Sequence, residues 1–399
     1  MDFDDFGFDY DLMDGIDAMG YRTATPVQEQ VIPSIIAGHD IIAAAQTGTG
    51  KTAAFLLPVI HKLLTEQHDA HTINAMIIVP TRELAVQIAQ TLEGISYYTS
   101  ISFIAVYGGT GGALFAAEKK ALTTGADIVI CTPGRMISHL NMGYVKLDGL
   151  KYLILDEADR MLDMGFYEDI IKIISYMPKE RQNLLFSATM PPGIRQLANT
   201  ILKKPVEVNI AISKPPEQIK QEAFIVFEAQ KIPLVKHVLQ QTQFDSVLIF
   251  CSSKLSVKKL TEELKRARFS VDQIQSDLEQ DKREQVLLDF RSKKLKILVA
   301  TDILSRGIDI EDIDLVINFD VPHDGEDYIH RIGRTARAAT KGTAYTFISE
   351  KEKYKFDRIE KLLGHAVTKA QVPEQFGPTP TAGEFVQKQK KKNNRKFKR

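Results

Sequence analysis

The stretch LKYLILDEAD, residues 150–159, decides how this chain is read. Tyr152, Leu153, Ile154 and Leu155 form an apolar run of strand length without polar alternation, the pattern of a parallel strand buried on both faces. Such a strand presents the residues that follow it, Asp156 and Glu157, at its carboxyl end, where open parallel sheets bind ligands. Two adjacent carboxylates at that edge repel each other unless a cation joins them.

Upstream, DIIAAAQTGTGKT (40–52) supplies the complement: a short apolar strand, a Gly-rich turn, then Lys51 and Thr52 opening a helix. Backbone N–H groups of Ala45, Gln46, Thr47, Gly48, Thr49 and Gly50 can wrap phosphate oxygens, and Lys51 can neutralise terminal phosphates. The Thr52 hydroxyl can share a magnesium ion with Asp156. A strict phosphate-loop pattern has Gly where Ala45 stands. The turn comes first, both features follow apolar strands, and the interval between them has room for the intervening βα units.

The chain has 399 residues, 44% of them hydrophobic, enough for two domains with full cores. Lys plus Arg and Asp plus Glu both total 51, so net charge points to no partner. Its distribution is uneven. Seven Asp and no Lys or Arg fall in residues 1–17, whereas KQKKKNNRKFKR (388–399) holds eight bases and no acid. Cys131 and Cys251 each end an apolar run and lack metal-ligand spacing, so buried free thiols in a reducing cytosol are expected, and no zinc site. The acidic start is unlike a signal peptide, and no apolar run approaches the length of a membrane helix. A soluble cytoplasmic protein with no membrane partner is the expectation.

Strand-like runs recur at 76–80, 101–109, 127–133, 152–157 and 183–189, separated by helical patterns, as in a doubly wound parallel sheet. PVEVNI and AISKPPEQ then break the pattern. A second alternation follows, with strands at 221–228, 246–253, 269–275, 296–302, 314–322 and 342–349. The expected division is 1–210, a linker at 211–218, a second α/β domain at 219–368, and a disordered basic tail at 369–399 whose first part is rich in Pro, Gly and Thr.

With AQTGTGKT, PTREL (80–84), TPGR (132–135), DEAD (156–159), SAT (187–189), VATDILSRGID (299–309) and HRIGRTAR (330–337) all present and in order, the chain resembles the DEAD-box ATP-dependent RNA helicases, most nearly the bacterial RhlE-type branch. The resemblance implies two RecA-like domains that use ATP and Mg²⁺ and grip single-stranded RNA by its backbone, acting as a monomer. It implies that Gln28 of GYRTATPVQ (20–28) reads the adenine edge, with Phe3 stacking on the base and Phe6 and Phe8 competing for that role. Read without the family, Gln28 is a surface helix residue and Phe3 a core staple.

The resemblance further implies RNA contacts from Thr81, Arg82, Gly108, Gly109, Thr132, Gly134, Arg135 and Thr301. Taken singly, these read as turn and capping residues. Ser187 and Thr189 would hydrogen-bond to Asp159 and couple hydrolysis to unwinding. Lys51, Asp156 and Glu157 would be catalytic, with Glu157 acting on the attacking water, while Gly307 and Asp309 line the nucleotide and His330 couples the phosphate to the first domain. Arg334 and Arg337 would be arginine fingers. The spacing of Arg331, Arg334 and Arg337 predicts three arginines near one helix face, opposed by an anion. Two further readings accompany local duplex unwinding: an ATP-timed RNA clamp or assembly platform, and a DNA helicase.

Overall fold

The structure, a computed structural model, describes residues 1–45, 48–69, 71–108, 112–209, 219–241, 244–275, 277–301, 313–322, 325–335 and 342–380. The chain divides into two compact units, Met1–Ser213 and Lys214–Arg399.

The first unit holds seven strands: β1 (Ile41–Ala44), β2 (Ala75–Ile78), β3 (Phe103–Val106), β4 (Ile128–Cys131), β5 (Tyr152–Leu155), β6 (Gln182–Ser187) and β7 (Val206–Asn209). All pairings are parallel, in the order β3-β4-β2-β5-β6-β1-β7. Parallel neighbours need helical crossovers, and these cover both faces. Because side chains alternate along a strand, β5 feeds two cores. Tyr152 and Ile154 join one cluster with Phe55, Ile77 and Phe186. Leu153 and Leu155 join the other with Met76, Ile78 and Leu185. The unbroken apolar run of the sequence is thus explained by two cores rather than one.

The second unit repeats the arrangement with β8 (Ile219–Ile225), β9 (Val247–Cys251), β10 (Val271–Ile274), β11 (Ile297–Thr301), β12 (Leu315–Asn318), β13 (Gly342–Ile348) and β14 (Thr368–Lys369). Its order is β10-β11-β9-β12-β13-β8-β14, place for place the order of the first sheet. Ile249 and Cys251 face one core while Leu248 and Phe250 face the other. Cys131 and Cys251 are both buried thiols, and burial pushes the Cys131 thiol up.

Two expectations are corrected. PVEVNI is no break: Val206–Asn209 is an edge strand paired with β1, too short and too exposed to show a periodic signal. The expected tail also begins too early. Ala370 N donates to Ala223 O at 2.9 Å, Phe376 packs 5.4 Å from His237, and Gln230 Nε2 donates to the carbonyls of Phe376 and Pro378. Val372 and Phe376 give this Pro-rich stretch apolar anchors on the second unit. Residues 381–399, with the basic run, lie outside the described residues, as does most of the expected linker.

Candidate active site

From the Gly-rich loop onward, each motif of the first unit lies at or just past the carboxyl end of a strand, and the sheet order sorts them. Across β3, β4 and β2 stand Gly108, then Thr132 to Arg135, then Thr81 and Arg82. Across β5, β6 and β1 stand Asp156 to Asp159, Ser187 to Thr189, and the loop that starts at Ala45.

On the β1 side, Gly48 and Gly50 have φ of 81° and 89°, the left-handed region that favours glycine. Gly50 is the N-cap of the helix Lys51–Thr65. A Cβ there would fall 2.6 Å from Gln28 Nε2. The buried Gln28 amide donates to Gly50 O at 3.1 Å and accepts from Thr25 N at 2.8 Å. Lys51 is 6% exposed, and among the described residues its Nζ has no hydrogen-bond acceptor. A buried ammonium at a helix start without an acceptor is a seat for an anion. Thr52, the second residue of that helix, is half-buried.

Asp156 is 3% exposed. Burial raises its carboxyl to about 6, Lys51 pulls it back, and Glu157 pushes it up again. Glu157 adopts φ 50° and ψ 47°. That region costs a non-glycine residue about 1–2 kcal/mol and collects at functional sites. Arg160 Nη1 bonds to Glu157 Oε2 at 3.0 Å.

Asp159 Oδ2 accepts from both the backbone N and the Oγ1 of Thr189 at 3.0 Å. Ser187 Oγ accepts from Asp159 N at 3.3 Å and donates to Thr189 O at 2.7 Å, while Ser187 O accepts from Ala45 N at 3.0 Å. One network therefore joins the Gly-rich loop, the acid motif and the loop after β6.

Phe3 is seen as the core staple: it is 3% exposed, with its ring 6.1 Å from Tyr21 and 5.9 Å from Phe6. Its backbone N bonds to Arg22 O.

On the β3-β4-β2 side, the Thr81 hydroxyl accepts from Leu84 N at 3.3 Å and caps the helix Arg82–Ile95. Thr132 is the N-cap of Pro133–Asn141, and a Cβ on Gly134 would meet nothing within 4 Å. Gly108 has φ 75°. Arg135 Nε donates to Glu118 Oε2 at 2.7 Å, and its guanidinium lies 4.8 Å from the Phe115 ring.

Sequence reasoning missed Glu118 and His139, both fully buried. Glu118 accepts from Gly108 N at 3.4 Å and lies 3.0 Å from His139 Nε2, while the other His139 nitrogen meets the Tyr144 hydroxyl. A Glu in the helical pattern AAEKKAL reads as a surface residue, and nothing in its neighbourhood marks it otherwise.

In the second unit Thr301 ends β11, and His330 lies in the helix Gly325–Ile332. The expected face of three arginines is corrected. The helix stops at Ile332 and tightens into a 3-10 turn, Gly333–Thr335, that carries Arg334. Arg331 instead turns inward: it is buried, donating to Asn318 Oδ1 at 3.0 Å and Asp320 O at 2.8 Å, with its guanidinium 5.1 Å from the Phe250 ring. Gln46, Thr47, Gly109, Gly307, Asp309 and Arg337 lie outside the described residues.

Known proteins match this geometry. The DEAD/DEAH box helicase family matches residues 25–197, and the helicase conserved C-terminal domain matches residues 230–339. The ATP-dependent RNA helicase CshA of Listeria monocytogenes is 39% identical over 372 residues, which are 93% of this chain and 70% of the relative. This chain belongs to the DEAD-box ATP-dependent RNA helicases. The ATP-dependent RNA helicase DbpA of Bacillus subtilis is 37% identical over 97% of this DEAD-box chain and 80% of its own length. The structure of S. cerevisiae Dbp5 bound to RNA and ADP BeF3 superposes with a TM-score of 0.82 at 29% identity, covering 94% of this chain and 96% of that one. The RhlE-type branch is not among the names of these relatives.

Proposed function

We propose that this helicase binds ATP on the β5-β6-β1 edge of its first unit and the RNA backbone on the β3-β4-β2 edge, opening duplexes locally as ATP is hydrolysed. The observation that carries the reading is the buried Lys51 ammonium, without an acceptor among the described residues, beside the buried carboxyl of Asp156. Terminal phosphates supply the missing anion.

Gln28 keeps a second amide hydrogen and a second oxygen lone pair beyond its bonds to Gly50 and Thr25, so it can still read an adenine edge. Phe3 supports that corner from the core side. Among the described residues no group of three His, Cys, Asp or Glu side chains could hold a metal alone. That suits magnesium, which keeps waters and phosphate oxygens as ligands beside one or two protein groups, here Asp156 and Thr52. When bound, it neutralises phosphate charge.

Glu157 orients the attacking water and takes its proton. Arg334 and Arg337 stabilise the transferring phosphoryl group, and such fingers are worth about three to five decades in rate. The Asp159–Thr189–Ser187 network, joined to the nucleotide loop by Ala45 N, couples hydrolysis to unwinding. Backbone contacts from Thr81, Arg82, Thr132, Gly134 and Arg135 carry little sequence preference. No described helix is long and apolar enough to cross a membrane, and we place the protein in the cytoplasm as a monomer.

The test is ATP turnover with RNA or DNA of one sequence, together with strand release. The reading expects strong stimulation by RNA only, since the 2′-hydroxyl distinguishes the two. Equal stimulation by DNA contradicts it. A long-lived ATP-bound RNA complex without strand release favours the clamp.

A further inference from the structure

The two sheets share one strand order, so positions can be equated between them. β1 and β8 each take sixth place, and the helix after each opens with lysine: Lys51–Thr65 and Lys231–Gln241. β5 and β12 each take fourth place, and an acid follows each, Asp156 and Asp320. The two lysines differ in what surrounds them. Lys51 has no acceptor among the described residues. The fully buried Lys231 Nζ lies 2.9 Å from Asp320 Oδ1, 2.8 Å from Glu352 Oε2 and 3.5 Å from Glu228 Oε2. The anion seat of the first unit is filled in the second by the protein's own carboxylates.

We infer that Lys231, through Asp320 and Glu352, is a positioning residue for the segment bearing His330 and Arg334, in place of a second phosphate site. This rests on the role proposed above for Arg334. The geometry leads straight to that segment. The Asp320 carboxylate accepts from Lys231 and from the backbone N and Oγ of Ser252 at 2.8 Å, while its carbonyl accepts from Arg331. Glu352 Oε1 accepts from the next residue, Val321 N, at 3.0 Å. One ammonium thus joins the two carboxylates that anchor the exit of β12, and that exit leads into the helix Gly325–Ile332. Arg331 ties the last turn of the helix back to the same point. Removing the ammonium leaves the buried Asp320 carboxylate facing the partly buried Glu352 carboxylate, and the exit must move to separate or hydrate them.

The test compares Lys231→Met, Arg334→Ala and the double variant in the full chain, at a temperature where thermal scans show each folded. Lys231→Met is expected to lower RNA-stimulated kcat at least tenfold while ATP affinity without RNA stays within twofold. The double variant should be no slower than Arg334→Ala, because Lys231 acts through that segment. Turnover within twofold of the parent, or fully multiplicative losses in the double variant, overturns the inference. Should Lys231→Met fail to fold, Glu352→Gln keeps the Lys231–Asp320 pair and is expected to lower kcat several-fold; unchanged turnover there overturns it equally. Parent-like turnover in Arg334→Ala refutes the finger assignment and this inference with it. A slow Arg334→Ala beside a normal Lys231→Met sinks this inference alone.

Discussion

Asp156 should make the ligand-free protein less stable as the solution becomes less acidic. Its carboxyl stands at about 6 in the fold, against an ordinary value of 3.8, because burial penalises the charged form more than Lys51 favours it. Between those values the unfolded chain has released the proton and the folded chain has kept it, so stability falls as pH rises from about 4 to about 6 and then levels off. A gap of about two, at about 1.36 kcal/mol each, amounts to about 3 kcal/mol. The assay is urea unfolding of the full chain in EDTA, without nucleotide, across that range, for the parent and for Asp156→Asn. Asparagine keeps an acceptor for Glu157 N but has no proton to lose. Every other carboxylate is present in both proteins, so the difference between the two reports on Asp156 and the charges beside it. A difference that does not change with pH would refute the reasoning.

Glu157→Gln removes the proposed base while keeping the Asp156 carboxylate in place, so the variant should bind ATP and RNA, hydrolyse slowly and release RNA late; slow phosphate release with fast RNA loss would contradict that cycle. Deleting residues 388–399, with their eight bases, should weaken RNA binding and flatten its log–log salt dependence by at most about five to six, with ATP affinity unchanged; an unaltered slope would remove the tail from the RNA site.

The strands of both units were legible because a parallel strand with helices on both faces must be apolar at every position, as Tyr152–Leu155 is. Two edge strands were not: Val206–Asn209 is partly exposed, and Thr368–Lys369 is two residues long. The Pro-rich stretch after Lys369 looked unstructured because composition reports average polarity, whereas Phe376 needs only one site to pack against. Three arginines at spacing three suggested one helix face, and the helix ends between the first and the second.

The sequence alone determined the chemistry. A phosphate turn needs glycines where φ is positive and a lysine at the helix start, and a nucleotide-linked cation needs an acid after a buried strand; both are local requirements, met within a few residues. Only the tertiary structure decided which motifs stand together. Along the chain the loop after β1 is followed by PTREL, the glycine pair, TPGR, DEAD and SAT, mixing nucleotide motifs with RNA motifs. The order β3-β4-β2-β5-β6-β1 separates them into two contiguous edges. The partners of the buried charges were likewise hidden: Glu118 meets Arg135, Lys231 meets Asp320 and Glu352, and Arg331 meets the exit of β12. A single charged residue carries no periodicity, so its partner is set by which crossover brings which strand end beside it.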